Sequence, residues 1–115
     1  MADVEVLVEA KNTLGEGPMW NVRDQALYWT DAKGKPRIQR WDPKSGDINE
    51  WAMPDLIGSF VFREKGGLIA GLKSGFYELD LDKNSAELFH DPEPGKTDNR
   101  LNDGKCDRRG RYWCG

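Results

Sequence analysis

The side chains that could do chemistry fall in two short stretches far apart in the chain. The first is Leu14-Gly15-Glu16-Gly17-Pro18-Met19-Trp20, where a carboxylate stands between two glycines and close to a proline. Glycine on both sides lets backbone and ligand approach closely. A carboxylate offers the hard oxygen that Ca²⁺, Mg²⁺ or, with further donors, Zn²⁺ takes. The second stretch is Arg100-Leu101-Asn102-Asp103-Gly104, a guanidinium, a carboxamide and a carboxylate gathered round one leucine. Asn102 would supply a neutral oxygen, and Arg100 a fixed cation for a carboxylate or polyhydroxy ligand. One carboxylate and one amide are too few to hold a cation, which needs several ligands. The residues alone leave two plainer arrangements open. Asn102-Asp103-Gly104 can make a simple turn, and Glu16 can pair with Arg100 as a salt bridge.

Composition restricts what surrounds these groups. Of 115 residues, 32% are charged and 37% hydrophobic, with a net charge of −3. That balance leaves no basic surplus for phosphate backbones, so no nucleic-acid partner is expected. No apolar run approaches a membrane span, and the first residues lack the basic-then-apolar layout of a signal peptide. The expectation is a cytoplasmic protein with no membrane contact. Cys106 and Cys114 are too few for a disulfide framework; they flank the last turn and could face each other across a hairpin, but read first as free, buried thiols. Thirteen Gly and five Trp, with no convincing helical run, point to many turns and short strands, an all-β protein.

A repeat organises these strands. Ile38 to Pro54 (IQRWDPKSGDINEWAMP) lies without a gap over Phe76 to Pro92 (FYELDLDKNSAELFHDP), an offset of 38 residues. Apolar positions meet apolar ones, Ile38 with Phe76 and Trp51 with Phe89, and Asp42 meets Asp80 in the turn. The preceding strand, Leu27-Tyr28-Trp29, recurs as Leu68-Ile69-Ala70 and again as Tyr112-Trp113-Cys114, at spacings of 41 and 44. Four short strands in roughly 40 residues, repeated in order, are the mark of a β-propeller blade. The chain thus divides into about two and a half blades of four-stranded antiparallel sheet. Blade 1 spans about 14–54 and blade 2 about 55–92, with an incomplete blade 3 over about 100–115. Residues 3–10, with Val4, Val6 and Val8 on one face, are expected to form a ring-closing strand.

In that layout the inner strands begin near Pro18, Gly58 and Asn102. Glu16, Gly58 and Asn102 then share one layer facing a central channel. Propellers have about four to eight blades, so the chain reads as the amino-terminal part of a larger ring. The unpaired edge at Arg111 to Cys114 predicts self-association through open blades. His90 ends an outer strand away from the axis and reads as exposed or structural. The aromatic residues read as packing between blades.

Four motifs carry a family resemblance: LGEGPMW (Leu14 to Trp20), LYWTD (Leu27 to Asp31), GGLIAG (Gly66 to Gly71) and RLNDGKCDRRGRYWCG (Arg100 to Gly115). Together they resemble the senescence marker protein/gluconolactonase/luciferin-regenerating enzyme (regucalcin-like) family over essentially the whole chain. The resemblance implies a six-bladed propeller with a divalent metal, Ca²⁺ or Zn²⁺ with Mg²⁺ and Mn²⁺ as alternatives, in its channel. It implies a metal-dependent hydrolase that opens sugar-acid lactones. Glu16 matches the family's first metal ligand, and Arg100 and Asn102 match its substrate-binding arginine and asparagine. The remaining ligands, an Asn and an Asp that is also the general base, would lie beyond Gly115, so no catalytic base falls within this chain. The chain alone is then expected to be inactive. The alternative is a non-catalytic propeller that binds calcium or a protein partner.

Overall fold

The computed structural model describes residues 2–115. It contains ten β-strands and, among the described residues, no helix: β1 (Gly15–Asn21), β2 (Ala26–Asp31), β3 (Arg37–Trp41), β4 (Ile48–Ala52), β5 (Ile57–Phe62), β6 (Leu68–Leu72), β7 (Gly75–Asp80), β8 (Ser85–His90), β9 (Gly104–Cys106) and β10 (Tyr112–Cys114). They form two four-stranded sheets, β1-β2-β3-β4 and β5-β6-β7-β8, and a two-stranded sheet of β9 and β10. Each is an antiparallel up-and-down meander in sequence order.

Turn chemistry sets where strands stop. Asn21 Oδ1 accepts the Arg23 N–H at 2.9 Å, Asp42 Oδ1 the Lys44 N–H at 2.8 Å, and Asp107 Oδ1 the Arg109 N–H at 2.9 Å. In each case a short side chain imitates the backbone of a turn. Gly46 and Gly110 close two of these turns with φ of 77°. The two complete sheets also share an irregularity. β1 shifts register between Glu16 and Met19, and β5 between Ile57 and Ser59, near the start of each inner strand. At the first of these, Gly17 takes φ 62° and Pro18 has no N–H to give the ladder.

The core lies between the first two sheets. Tyr28, Ile38, Ile57, Phe60, Leu72 and Leu79 are buried there, with Met19, Trp51 and Phe62 packed at the margin. Tyr28 meets Phe62 edge-to-face across the sheets at 4.9 Å, and Phe76 meets Tyr112 likewise at 5.9 Å between the second and third. The outermost strand β8 is exposed throughout.

Residues 3–10 pair with no strand among the described residues, Val4 being 94% exposed and Val6 70%, and the partner expected for a ring-closing strand, in a last blade, is not among those residues. Two expectations need correction. The third inner strand starts at Gly104, not Asn102. Asn102 and Asp103 instead cross to the chain end through two backbone bonds, Asn102 N–H to Gly115 O at 2.7 Å and Gly115 N–H to Asp103 O at 2.9 Å. The cysteines are free, but Cys106 is exposed and not buried. They do not oppose each other, because Cys106 pairs with Tyr112 and Cys114 with Gly104.

Candidate functional site

The structure sets Glu16 by its backbone first. Glu16 pairs with Thr30 across β1 and β2, and the buried Thr30 hydroxyl donates to the Glu16 carbonyl at 3.2 Å. The segment before it is clamped by Asp31, which is 2% exposed. Its carboxylate accepts the Leu14 N–H at 2.8 Å and the Thr13 N–H at 3.2 Å, with Asn12 Nδ2 and Arg37 Nη2 each at 3.4 Å. Burial works against ionising Asp31, but the donors from Leu14, Thr13, Asn12 and Arg37 outweigh it and hold the carboxyl below the usual range. Gln39 and the Trp29 indole N–H join Asn12 in the same network.

The half-buried Glu16 opens on a cavity of about 60 Å³ that it lines with Thr30, Gly58, Ser59, Asp103 and Gly104. The cavity therefore draws on all three sheets and the loop before β9. It has room for a few waters or an ion, well short of a sugar. Close approach of inner strands makes this geometry. A Cβ on Gly58 would fall 2.5 Å from the carbonyl oxygens of both Leu101 and Asn102. A Cβ on Gly104 would fall 2.5 Å from Ser59 Oγ. Ser59 in turn hydrogen-bonds to the Tyr112 hydroxyl.

The three residues singled out in the sequence are not brought into one cavity. Glu16 shares its cavity with Asp103. Asn102 lies beside it, its backbone pressed against Gly58. Arg100 lines a separate cavity of about 320 Å³ with Lys73, Ser74, Asp91, Lys96 and neighbours from the turns around blade 2. No Glu16–Arg100 salt bridge forms among the described residues, which removes that plainer arrangement. Asp103, which the sequence offers only as one more carboxylate of the 100–104 stretch, joins the lining because the backbone at 102–103 is irregular. His90 is exposed and stacks on Phe76.

The donors fit a hard cation in kind but not in number. Ca²⁺ takes about six to eight oxygens and Zn²⁺ about four ligands. Among the described residues no group of three or more His, Cys, Asp or Glu side chains could hold a metal. Glu16 and Asp103 alone do not make a cation site.

A family model described as the SMP-30/Gluconolactonase/LRE-like region matches residues 14–115. The chain belongs to this family. It is 38% identical over 112 residues to a 6-deoxy-6-sulfogluconolactonase of Pseudomonas putida, covering 97% of this chain and 38% of that protein. It is 30% identical to a regucalcin of Xenopus laevis (97% and 37%) and 33% identical to an L-arabinolactonase of Azospirillum brasilense (93% and 35%). The solved structure of a luciferin-regenerating enzyme superposes with a TM-score of 0.83 at 28% identity, covering 90% of this chain and 36% of that one. The chain thus spans a little over a third of the length of these relatives. Its sheets are blades of a β-propeller, and the Glu16 cavity sits at the start of their inner strands. Among the described residues no helix is long and apolar enough to cross a membrane.

Proposed function

We propose that this chain supplies part of the channel of a metal-dependent lactone hydrolase acting on sugar-acid lactones. The observation that carries the reading is the convergence of Glu16 with Asp103, 87 residues later, on one small cavity built by all three sheets. The lactonases among its relatives supply the reaction class. Ring opening adds water across the ester: the C–O bond of the ring breaks, and the products are a hydroxyl and a carboxylate. The substrate is a small neutral polyol ester and the product an anionic polyol.

Within that reading Glu16 would be one ligand of a divalent cation, whose other ligands would come from outside the carboxylates described above and which would supply Lewis-acid chemistry. Asn102, beside the cavity, would orient the sugar hydroxyls and ring oxygen, and Arg100 would reach the substrate from the neighbouring cavity by charge-assisted hydrogen bonds. Hydrogen bonds to the Glu16 carbonyl and to the Thr13 and Leu14 N–H groups fix the backbone from which the carboxylate projects.

The test measures proton release from sugar lactones, in a pH-stat, by the protein that carries this chain, with Ca²⁺, Zn²⁺, Mn²⁺ and Mg²⁺ added singly. At least one metal should stimulate hydrolysis. Glu16→Gln should reduce the stimulated rate by about a hundredfold or more, with unchanged circular dichroism. Absence of metal-stimulated hydrolysis of any sugar lactone, or a fully active Glu16→Gln protein, refutes the reading.

A further inference from the structure

The 320 Å³ cavity carries a cluster of three cations, and its charges are unequally engaged. Asp55, Asp91 and Glu93 line it, as do Lys73, Lys96 and Arg100. Each carboxylate is held by one hydrogen bond. Asp55 accepts the Leu56 N–H at 2.8 Å, Asp91 the Glu93 N–H at 3.0 Å, and Glu93 the Asn99 side-chain amide at 2.8 Å. These bonds shape the loop between β8 and β9. The three cations, by contrast, enter no ion pair and no side-chain hydrogen bond among the described residues. Ser74, Thr97 and Asn99 add neutral polar groups to the lining.

We propose that this cavity is a binding site for an anionic polyol, a sugar acid or sugar phosphate whose charged group lies against Lys73, Lys96 and Arg100. The volume is at the lower end of small-molecule sites, about 300–1,000 Å³, which suits one sugar-sized molecule. Free ammonium and guanidinium groups favour the anion. Carboxylates held in place by the loop retain spare lone pairs for hydroxyl donors. The loop is packed close: a Cβ at Gly75, where φ is 143°, would fall 2.5 Å from the His90 carbonyl oxygen. Taking the anion to belong to the substrate or product rests on the lactonase reading, but the binding itself does not.

The test is a ¹⁵N-NMR titration of this chain with gluconate, sorbitol 6-phosphate and neutral sorbitol, at low and moderate salt. Both the anion and the polyol should matter, so at least one anionic probe should shift the amides of Lys73, Lys96 and Arg100. It should bind about tenfold or more tightly than sorbitol and weaken with salt. Binding of gluconate marks the carboxylate that ring opening creates, and binding of sorbitol 6-phosphate alone marks a substituent already on the substrate. Lys73→Ala and Lys96→Ala should each weaken that probe about tenfold, whereas Lys65→Ala, outside the cavity, should not. The proposal is overturned if neither anion binds, if sorbitol binds as tightly, or if the cavity substitutions have no more effect than Lys65→Ala. Because no lactone is hydrolysed in this assay, its failure leaves the lactonase reading standing, and the reverse.

Discussion

Replacing Asp31 by Asn tests whether a buried carboxylate holds the Glu16 segment in place. The substitution keeps shape and removes charge. One amide oxygen can still accept the Leu14 N–H, now at 2.8 Å. The new amide nitrogen then faces the Thr13 N–H, and a donor meets a donor where a bond of 3.2 Å had been. A hydrogen bond to a charged group is worth about 1.5–3 kcal/mol, and an orphaned donor costs about 1–3 kcal/mol when buried. Thr13 is exposed, so water relieves part of that second cost. Arg37 also loses its buried partner, at 3.4 Å, and keeps the exposed Glu50 at 3.0 Å. The sum is about 3 kcal/mol.

For a chain of this size each kcal/mol moves the midpoint by roughly 4 °C, so Asp31→Asn should melt about 10 °C lower. Tryptophan fluorescence is an apt probe because the Trp29 indole donates to Asn12 and Gln39 in the same network, at 2.8 Å each. Hydrogen exchange should show lost protection at Leu14 before any change in β6 or β7. A variant that melts within about 2 °C of the parent, with Leu14 still protected, would refute the claim that Asp31 fixes this segment.

Two further outcomes follow from the same coordinates. Gly58→Ala should cost about 1–3 kcal/mol or more by denaturant melting, because its methyl meets backbone oxygens of residues 101 and 102 and not a movable side chain. A neutral result there would mean that the inner strands are not in close contact. Stability should fall at both pH extremes. Asp107 is depressed to about 2 by the Trp113 indole N–H, the Arg111 N–H and guanidinium, and the Arg109 N–H, so its contribution is present above about pH 4 and is lost as pH falls towards 2. Tyr28 is pushed up to about 12 by burial and by its bond to Asp24, so its contribution is present below about pH 10 and is lost as pH rises through 12. Urea melts across pH with an Asp107→Asn comparison read the acid limb, and phenolate absorbance reads the alkaline one.

The repeat in the sequence was enough to divide the chain into sheets, because turn chemistry and strand alternation are local. Asp42 and Asp80 mark equivalent turns, and β3 and β7 fall where the 38-residue offset puts them. Residues 3–10 differ, because alternating valines at 4, 6 and 8 describe a face and the strand that would accept its bonds is not among the described residues. The site was legible in part. Glycines around Glu16 announced a close approach of backbone. Which carboxylate or amide would face Glu16 depended on an irregular crossing at 102–103 that no alternation pattern encodes. The cations at 73 and 96 carried no signal at all, since isolated lysines in turns look like any solvated surface until a loop folds over them.

What unites the cavity of Glu16 with the neighbouring cation-lined recess is the strand β5. Near its start, Gly58 presses on the Asn102 backbone, and Ser59 reaches both the Glu16 cavity and the Tyr112 hydroxyl. Just before it, Leu56 accepts the Lys73 N–H at 2.8 Å and Asp55 turns its carboxylate towards the recess that holds Arg100. Within five residues, then, Asp55 lines one cavity and Gly58 and Ser59 line the other. Gly58 and Ser59 have few or no rotamers in which to drift. The loop at 99–103 is held by its own bonds, Asn99 to Glu93 and Asn102 and Asp103 to Gly115, and packs on this segment through Gly58. That is why a methyl at position 58 should disturb both cavities, whereas a lost lysine at their rim should disturb only the ligand.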